Sequence, residues 1–442
     1  MQTTLPKGSK KLMNAWAFYD WANSVYSLVI SSAIFPIYYG ALFKMRGDIY
    51  IDVFGTTLKN SALISFVTAF AFLVVAIISP LLSGIADYAG NKKVFMQFFC
   101  YLGALSCIGL YWFELEQIYI SLACYFFGLI GFWGSLVFYN SYLPDIAFPE
   151  QQDKLSARGY SMGYIGSVVL LIFNLAMVMK PAFFGFTGEE GEMAMKAMRF
   201  SFVSVGIWWI IFAQYTFYYL PKGNNGNKFT KAVFFNGFKE LKKVWNLLGQ
   251  NIRLKKFLYS FFVYSMAVQT VMLVATYFGE QEIAWGSDSE RTTGLITSIL
   301  LIQLVAVLGA VITSRASVKF GNIPTLIFIN CIWIVICIVG FFITKPIEFY
   351  VVASFVGLVM GGIQALSRST YSKFLPETKD TASFFSFYDV SEKIGIVIGM
   401  GIFAIIDQIT GSMRNALVFL TVFFISGVIL LLRVPKKVLD KA

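Results

Sequence analysis

Few side chains in this 442-residue chain can do chemistry, and what marks them is that they sit inside long apolar stretches. Asp20 lies in the first stretch; Asp389, Glu392 and Lys393 share a later one; Arg368 ends the one between. A charge surrounded by hydrocarbon costs about 2.5 kcal/mol or more, so each of these needs a partner, a water-filled cavity or a task. Asp20, Ser24, Ser27 and Ser31 recur at spacings of 4, 3 and 4, which places them on one face of an α-helix, with Tyr19 and Asn23 beside it. At about 1.5 Å per residue, Asp20 is roughly 9 Å deep. A carboxylate there either carries a proton or holds an ammonium group, or else it caps a neighbouring helix or pairs with an arginine and locks one end of the protein. Asp389 and Lys393 are four apart and can pair along one face, close to mid-depth. The lysine is then a permanent partner of Asp389, an anchor for a carboxylate, or half of a bond broken and remade in a cycle. Glu392 points about 60° from Asp389 and reaches the same pocket.

Neutral polar residues surround these charges. Gln364, Ser367, Arg368 and Tyr371 share a helical face after Gly357, Gly361 and Gly362, whose spacing permits close helix contact. Tyr160, Tyr164, Ser167 and Asn174, and likewise Ser265, Gln269 and Thr276, fall at helical spacings. Such groups line a site for a small polar solute or hold helices together. Other chemistry drops out. There is no histidine, which removes histidine bases and histidine metal sites. The five cysteines lie in apolar runs without a Cys-x-x-Cys pair, and no nucleotide-binding G-x-x-x-x-G-K-[ST] loop occurs. Met193, Met195 and Met198 beside Glu192 read as a chance cluster, with no metal site, and no enzyme centre or cofactor is expected.

The elements that position these residues follow from composition. The chain is 57% hydrophobic and 13% charged, with mean hydropathy +0.70, against about 25% charged for a soluble domain. That balance predicts an all-α integral membrane protein. Apolar runs near 14–43, 61–84, 94–113, 117–140, 157–180, 197–220, 255–278, 292–313, 324–344, 347–368, 382–406 and 414–434 are each long enough to cross about 30 Å of hydrocarbon. The side holding both termini carries 25 Lys and Arg, the opposite side 9, and Lys393 lies within a span. The positive-inside rule then puts both termini in the cytoplasm and accounts for the net charge of +11 without nucleic acid. Between the sixth and seventh runs, Phe234, Phe238, Leu241, Trp245, Leu248 and Ile252 alternate with Lys231, Lys239, Lys242 and Lys243, the pattern of a basic amphipathic helix on the membrane surface.

An internal repeat sets the architecture. Tyr139 to Asp145 (YNSYLPD) is echoed by Tyr371 to Glu377 (YSKFLPE), and Ser83 to Gly90 more loosely by Ser314 to Gly321, at offsets of 232 and 231. Two six-helix halves in parallel order are the repeat logic of secondary transporters, whose site lies between the halves near the midplane. The expected organisation is a bundle over 1–220, a linker over 221–254 and a bundle over 255–442.

The stretch SGIADYAGNKK (83–93) resembles the loop motif of the major facilitator superfamily, with Ser83 in place of its first glycine and Val318 where the second copy would carry aspartate. AWAFYDWANSVYSLVI (15–30), YNSYLPDIA and LSARGYSMGYIG (139–166), and GGIQALSRSTYSKFLPE with FFSFYDVSEKIG (361–395) resemble its "unknown major facilitator" branch, which includes the fungal vacuolar amino-acid effluxer of autophagy. One departure is that Met266-Ala267 stands where many relatives carry Asp-Gly. The resemblance implies alternating-access, proton-coupled transport of an amino acid or similar small polar solute by a monomer in a bacterial inner membrane. It implies that Asp87, Lys92 and Lys93 govern gating by holding the second helix against the eleventh, while Arg368, near the cytoplasmic mouth and in reach of Asp20 or Asp389, is expected from its position to close that side as a gate. Asp20, Asn23, Ser24, Ser27, Tyr164, Gln269, Gln364, Asp389, Glu392 and Lys393 are the candidate path for substrate and proton. Export of an amphipathic compound, and a non-transporting sensor on the same scaffold, are the alternatives.

Overall fold

The computed structural model describes residues 5–48, 50–223 and 232–436, with the side chains at 190, 232–238, 240, 288 and 289 outside the description. Twelve helices are long and apolar enough to span a bilayer. In the first half they are α1 (Lys10–Arg46), α2 (Asn60–Ala89), α3 (Lys92–Trp112), α4 (Ile118–Ile146), α5 (Pro149–Met179) and α6 (Gly191–Tyr219). The second half has α7 (Ile252–Glu282), α8 (Glu290–Phe320), α9 (Asn322–Phe342), α10 (Pro346–Phe374), α11 (Thr381–Thr410) and α12 (Met413–Leu432). Successive helices run in opposite directions, so the starts of odd-numbered helices and the ends of even-numbered ones share the side that bears the termini.

Each half supplies most of one core, with Ala382 of the second half joining the first core and Tyr164 of the first half joining the second. Trp16, Tyr26, Phe35, Phe138 and Trp209 belong to one hydrophobic cluster, and Phe257, Trp333, Tyr371 and Phe424 to another. On α2 the residues Phe66, Phe70, Leu73 and Ile77, at spacings of 4, 3 and 4, remain exposed, which is a stripe presented to lipid. The halves meet along small residues: Ala157 of α5, Ala310 of α8 and Ala365 of α10 form a buried cluster of their own. Within the second half, Cβ atoms added at Gly357 and Gly361 would meet the backbone oxygens of Ile302 and Ala306, so glycine sets how closely α8 and α10 approach.

Three local features differ from the periodicity reading. The first is α1, which is not a single α-helix: Tyr26–Ala33 is π-helical between α segments Lys10–Val25 and Ile34–Arg46. The straight polar stripe expected from Asp20 to Ser31 is therefore corrected, because the wider π turn rotates Ser27 and Ser31 away from the α-helical spacing. Pro36 has no N–H for the carbonyl of Ser32, and Ile34 N–H bonds back to Val29 O, five residues earlier. The irregularity thus falls before the proline, not at it.

The second feature is a hairpin between α1 and α2. Tyr50–Val53 pairs antiparallel with Thr56–Lys59, and Phe54 takes a positive φ of 52° at the turn. The third is the linker helix Ala232–Gln250, which packs along α2 and reaches α11 as well. Lys243 Nζ donates to Asp380 Oδ2 at 2.8 Å, and the Trp245 and Phe387 rings are 5.5 Å apart. Lys231 and the side chains of Phe234 and Phe238 lie outside the described residues.

Candidate functional site

The sequence-selected charges fall into two layers between the halves. The first lies toward the terminus-bearing end. Arg368, near the end of α10, and Asp20, near the start of α1, are 2% and 4% exposed, and both Arg368 Nη atoms reach Asp20 Oδ2 at 3.4 Å. Arg368 Nε also donates to Ser156 Oγ at 2.9 Å, Nη2 to the Ser156 carbonyl at 2.9 Å and Nη1 to Asn140 Oδ1 at 3.1 Å. Tyr139 OH donates to Asp20 Oδ2 at 2.8 Å, while Trp16, stacked on Tyr139, donates its Nε1–H to the Tyr139 carbonyl. The guanidinium lies over the ring of Tyr160 at 4.2 Å and that of Trp16 at 4.8 Å. This network ties α1, α4 and α5 of one half to α10 of the other, with the charges matched and the remaining donors satisfied. Gly159 makes room for it, since a Cβ there would lie 2.5 Å from Asp20 Oδ2 and 3.0 Å from Arg368 Nη2.

Two junctions flank that layer at the same end. At one, Asp87, at the end of α2, accepts from the backbone N–H groups of Ala382 (3.2 Å) and Ser383 (2.7 Å), in the first turn of α11. Those N–H groups have no partner within the helix, and a carboxylate is favoured there. Lys92 joins the same junction through Asp145, the Ser141 carbonyl and Thr381 Oγ1. Lys93 instead stays within the first half, donating to the Leu220 carbonyl at 2.9 Å.

At the other junction, Asp153 of α5 accepts from Lys373 at 2.5 Å, Asn322 at 2.9 Å and Ser317 at 3.0 Å. The second motif copy has Val318 where the first has Asp87, and here the carboxylate comes from the opposite half instead. Asp153 and Lys373 did not emerge from sequence because they lie at the membrane edge, where depth gives no signal. Asn140 and Ser156 are ordinary polar residues until Arg368 is placed between them.

The second layer is near mid-depth. Lys393 Nζ pairs with Asp389 Oδ1, lies 3.4 Å from Glu392 Oε2, and sits 3.8 Å from the centroid of the Trp133 ring on α4 of the other half. Gln269 of α7 donates to Glu392 Oε1 at 2.7 Å. Lys393 is 1% exposed and Asp389 5%, and Asp389 Oδ2 is buried with no hydrogen-bond partner. Two carboxylates therefore share one ammonium, and the cluster carries one formal negative charge in excess. Tyr164 OH donates to Gln364 Oε1 at 2.6 Å across the halves, and Gln364 Nε2 reaches Met272 Sδ at 3.6 Å. Trp133, one aromatic in an apolar run, carried no signal of its place beneath a lysine.

Among the described residues, the rest of the α1 candidates make no hydrogen bond to either layer. Asn23 is 1% exposed, and its Oδ1 accepts from Ser24 Oγ at 3.4 Å. Ser27 Oγ bonds the Ser24 carbonyl of its own helix. A Cβ at Gly163 would collide with Ser24 Oγ, so Ser24 packs against α5.

The profile described as "Vacuole effluxer Atg22 like" matches residues 8–438. Among curated relatives, an uncharacterized MFS-type transporter, YxiO of Bacillus subtilis, is 29% identical over 435 residues, covering 97% of this chain and 95% of its own. Autophagy-related protein 22-1 of Phaeosphaeria nodorum is 22% identical over 516 residues, covering 93% of this chain and 88% of its own. Two solved transporters share the fold. The E. coli fucose:proton symporter FucP has a TM-score of 0.66 at 14% identity over 97% of this chain and 98% of its own. The proton:xylose symporter XylE has 0.71 at 13% identity over 96% and 95%. The fold is thus that of the major facilitator superfamily, two six-helix bundles in parallel repeat; the bacterial relative is named as a transporter and the matching family as effluxer-like.

Proposed function

The chain belongs to the vacuole effluxer Atg22-like family of membrane transport proteins, and from that premise we propose that it moves a small polar solute, an amino acid or a close analogue, by proton-coupled alternating access. The observation that carries this reading is the two-layer arrangement: a matched, buried ion pair at one end of the inter-half seam and an unbalanced carboxylate cluster near mid-depth. A matched pair joining the halves is a gate, because rocking them apart must separate Asp20 from Arg368. An unbalanced cluster is a loading site, because excess charge at that depth calls for a counter-ion.

In this reading Asp20 belongs to the gate, with Arg368, Asp87, Lys92 and Asp153, and Lys93 braces the end of α6. Asp389, Glu392, Lys393, Gln269, Gln364 and Tyr164 form the substrate and proton site. In this reading the first bundle ends at 220 and the second begins at 255. The charge asymmetry of the loops supports cytoplasmic termini in a bacterial plasma membrane, and the chain works as a monomer.

The test is uptake of a labelled amino-acid mixture into proteoliposomes, with and without an imposed pH gradient, for the native chain and for Asp20→Asn. Accumulation that needs the gradient, with leak or altered exchange in Asp20→Asn, is the expected result. Flux indifferent to the gradient would mean facilitated diffusion. No flux above empty vesicles from folded protein would turn the assignment toward an amphipathic substrate.

A further inference from the structure

The mid-depth cluster also constrains which end of a solute it can hold. Lys393 spends its ammonium on Asp389, Glu392 and the Trp133 ring and is 1% exposed. Arg368 is equally committed, to Asp20, Asn140 and Ser156. Among the described residues no other Lys or Arg stands at mid-depth, so this state offers no free cation to a substrate carboxylate. It offers the reverse: one carboxylate in excess, and Asp389 Oδ2 buried without a hydrogen-bond partner. Aromatic faces adjoin the cluster, with Trp133 on Lys393, and Tyr388 stacked on Phe261 at 4.1 Å one residue before Asp389. Carboxylate together with aromatic faces is the chemistry that recognises ammonium groups.

We propose that this cluster takes one further cation, and that a proton and the ammonium group of the solute compete for it, so that transport is exchange of a proton for an amine-bearing solute. The inference rests on the transport reading above and adds its stoichiometric logic. A carboxyl of the Asp389–Glu392 pair gives its proton to water as the ammonium docks on the resulting carboxylate, and the cluster's total charge is the same before and after. Binding both cations together would overfill a site with one excess charge, which disfavours symport. The groups facing the pair are Lys393 and Tyr388 on its own helix, Gln269 and Tyr264 on α7, Tyr160 on α5 and, across Lys393, Trp133 on α4. Of these only Lys393 is a cation, and it is already paired.

The experiment uses the purified full-length chain in detergent micelles, weakly buffered near neutral pH with a pH-sensitive dye. It is titrated with each proteinogenic amino acid, with its amide (ammonium kept, carboxylate removed) and with its N-acetyl derivative (carboxylate kept, ammonium removed). The expected result is that amides bind at least as well as their parents, that bound amine displaces protons into solution, and that N-acetyl derivatives do not bind. Glu392→Gln is expected to weaken amine binding by about tenfold and abolish proton release, whereas Glu392→Asp retains release, so a merely misfolded variant is recognised. Preferential binding of N-acetyl derivatives, proton uptake on binding, or no binding by any amine would overturn the proposal. In proteoliposomes an acidic interior should accelerate amine uptake. Acceleration by an acidic exterior instead would overturn exchange while leaving transport intact, and vesicles that move no solute under either polarity would remove the transport reading itself.

Discussion

Arg368 makes a densely connected buried charge pair, and its environment explains why a guanidinium suits the position. Its planar fork meets Asp20, Asn140 and both oxygens of Ser156 at once, while its face covers Tyr160. Removing one partner of a buried pair leaves an uncompensated charge worth about 3–5 kcal/mol. Because that penalty falls on the closed arrangement, Arg368→Ala is expected to favour opening at the terminus-bearing end, speeding exchange between labelled and unlabelled solute while weakening gradient-driven accumulation. Counterflow and coupled uptake both equal to the native chain would contradict the gate. Gly159→Ala attacks the same pair without touching a charge. Its methyl group would press on Asp20 Oδ2 and Arg368 Nη2, atoms held by bonds and unable to withdraw freely. Overpacking of this sort costs about 1–3 kcal/mol, so the variant should show the Arg368→Ala transport pattern in milder form, with a lowered melting temperature in micelles.

Among the elements, the two junctions are related by the internal repeat yet use different chemistry. At α11 a carboxylate meets unpaired backbone N–H groups, which requires only a helix N-terminus and an acid in reach. At α5 the acid is on the helix and the ends of α10, α9 and α8 supply Lys373, Asn322 and Ser317. Asp87→Asn leaves one acceptor oxygen for two donors, and Asp153→Asn deprives Lys373 of its counter-ion. Each is expected to lose about 1.5–3 kcal/mol of the closed form, read as a fall in melting temperature in micelles, with the two losses adding in the double variant if the junctions act independently. An unchanged melting temperature for Asp153→Asn would mean the second junction is ornamental. The π segment of α1 belongs to this scale too. It was invisible to a period-3.6 reading because the residues themselves are ordinary, and the departure depends on Pro36 withholding an N–H and on neighbours that hold the wider turn in place.

For the molecule as a whole, the described inter-half polar contacts run from the terminus-bearing end to about mid-depth, through Asp87, Asp153, Asp20–Arg368 and then Tyr164–Gln364. The Ala157, Ala310 and Ala365 cluster lies along the same seam and is buried. Ser31, beyond mid-depth on α1, is exposed. In a background with Cys100, Cys107, Cys124, Cys331 and Cys337 replaced, Ser31→Cys should react with a membrane-impermeant maleimide added on the far side, and Ala310→Cys should resist it from the terminus-bearing side. Arg368→Ala should render the Ala310→Cys position reactive. Protection at both positions in the resting protein would argue against a cleft open on the far side.

Amino-acid order alone determined the membrane setting, the twelve helices and the two-fold internal repeat, because these follow from runs of apolar residues and from short motifs that reappear at one offset. It also singled out Asp20, Arg368, Asp389, Glu392 and Lys393, since a charge in hydrocarbon is conspicuous wherever it stands. Pairing was a different matter. Arg368 had both Asp20 and Asp389 in reach, and Asp20 is 348 residues away in sequence, joined to it only when α1 and α10 pack across the seam. Trp133, Asn140, Ser156 and Asp153 acquire their places in the same way. Burial reveals which residues need a partner, and that need is local; which partner they find depends on helix packing between residues remote in the chain, and tertiary structure decides it.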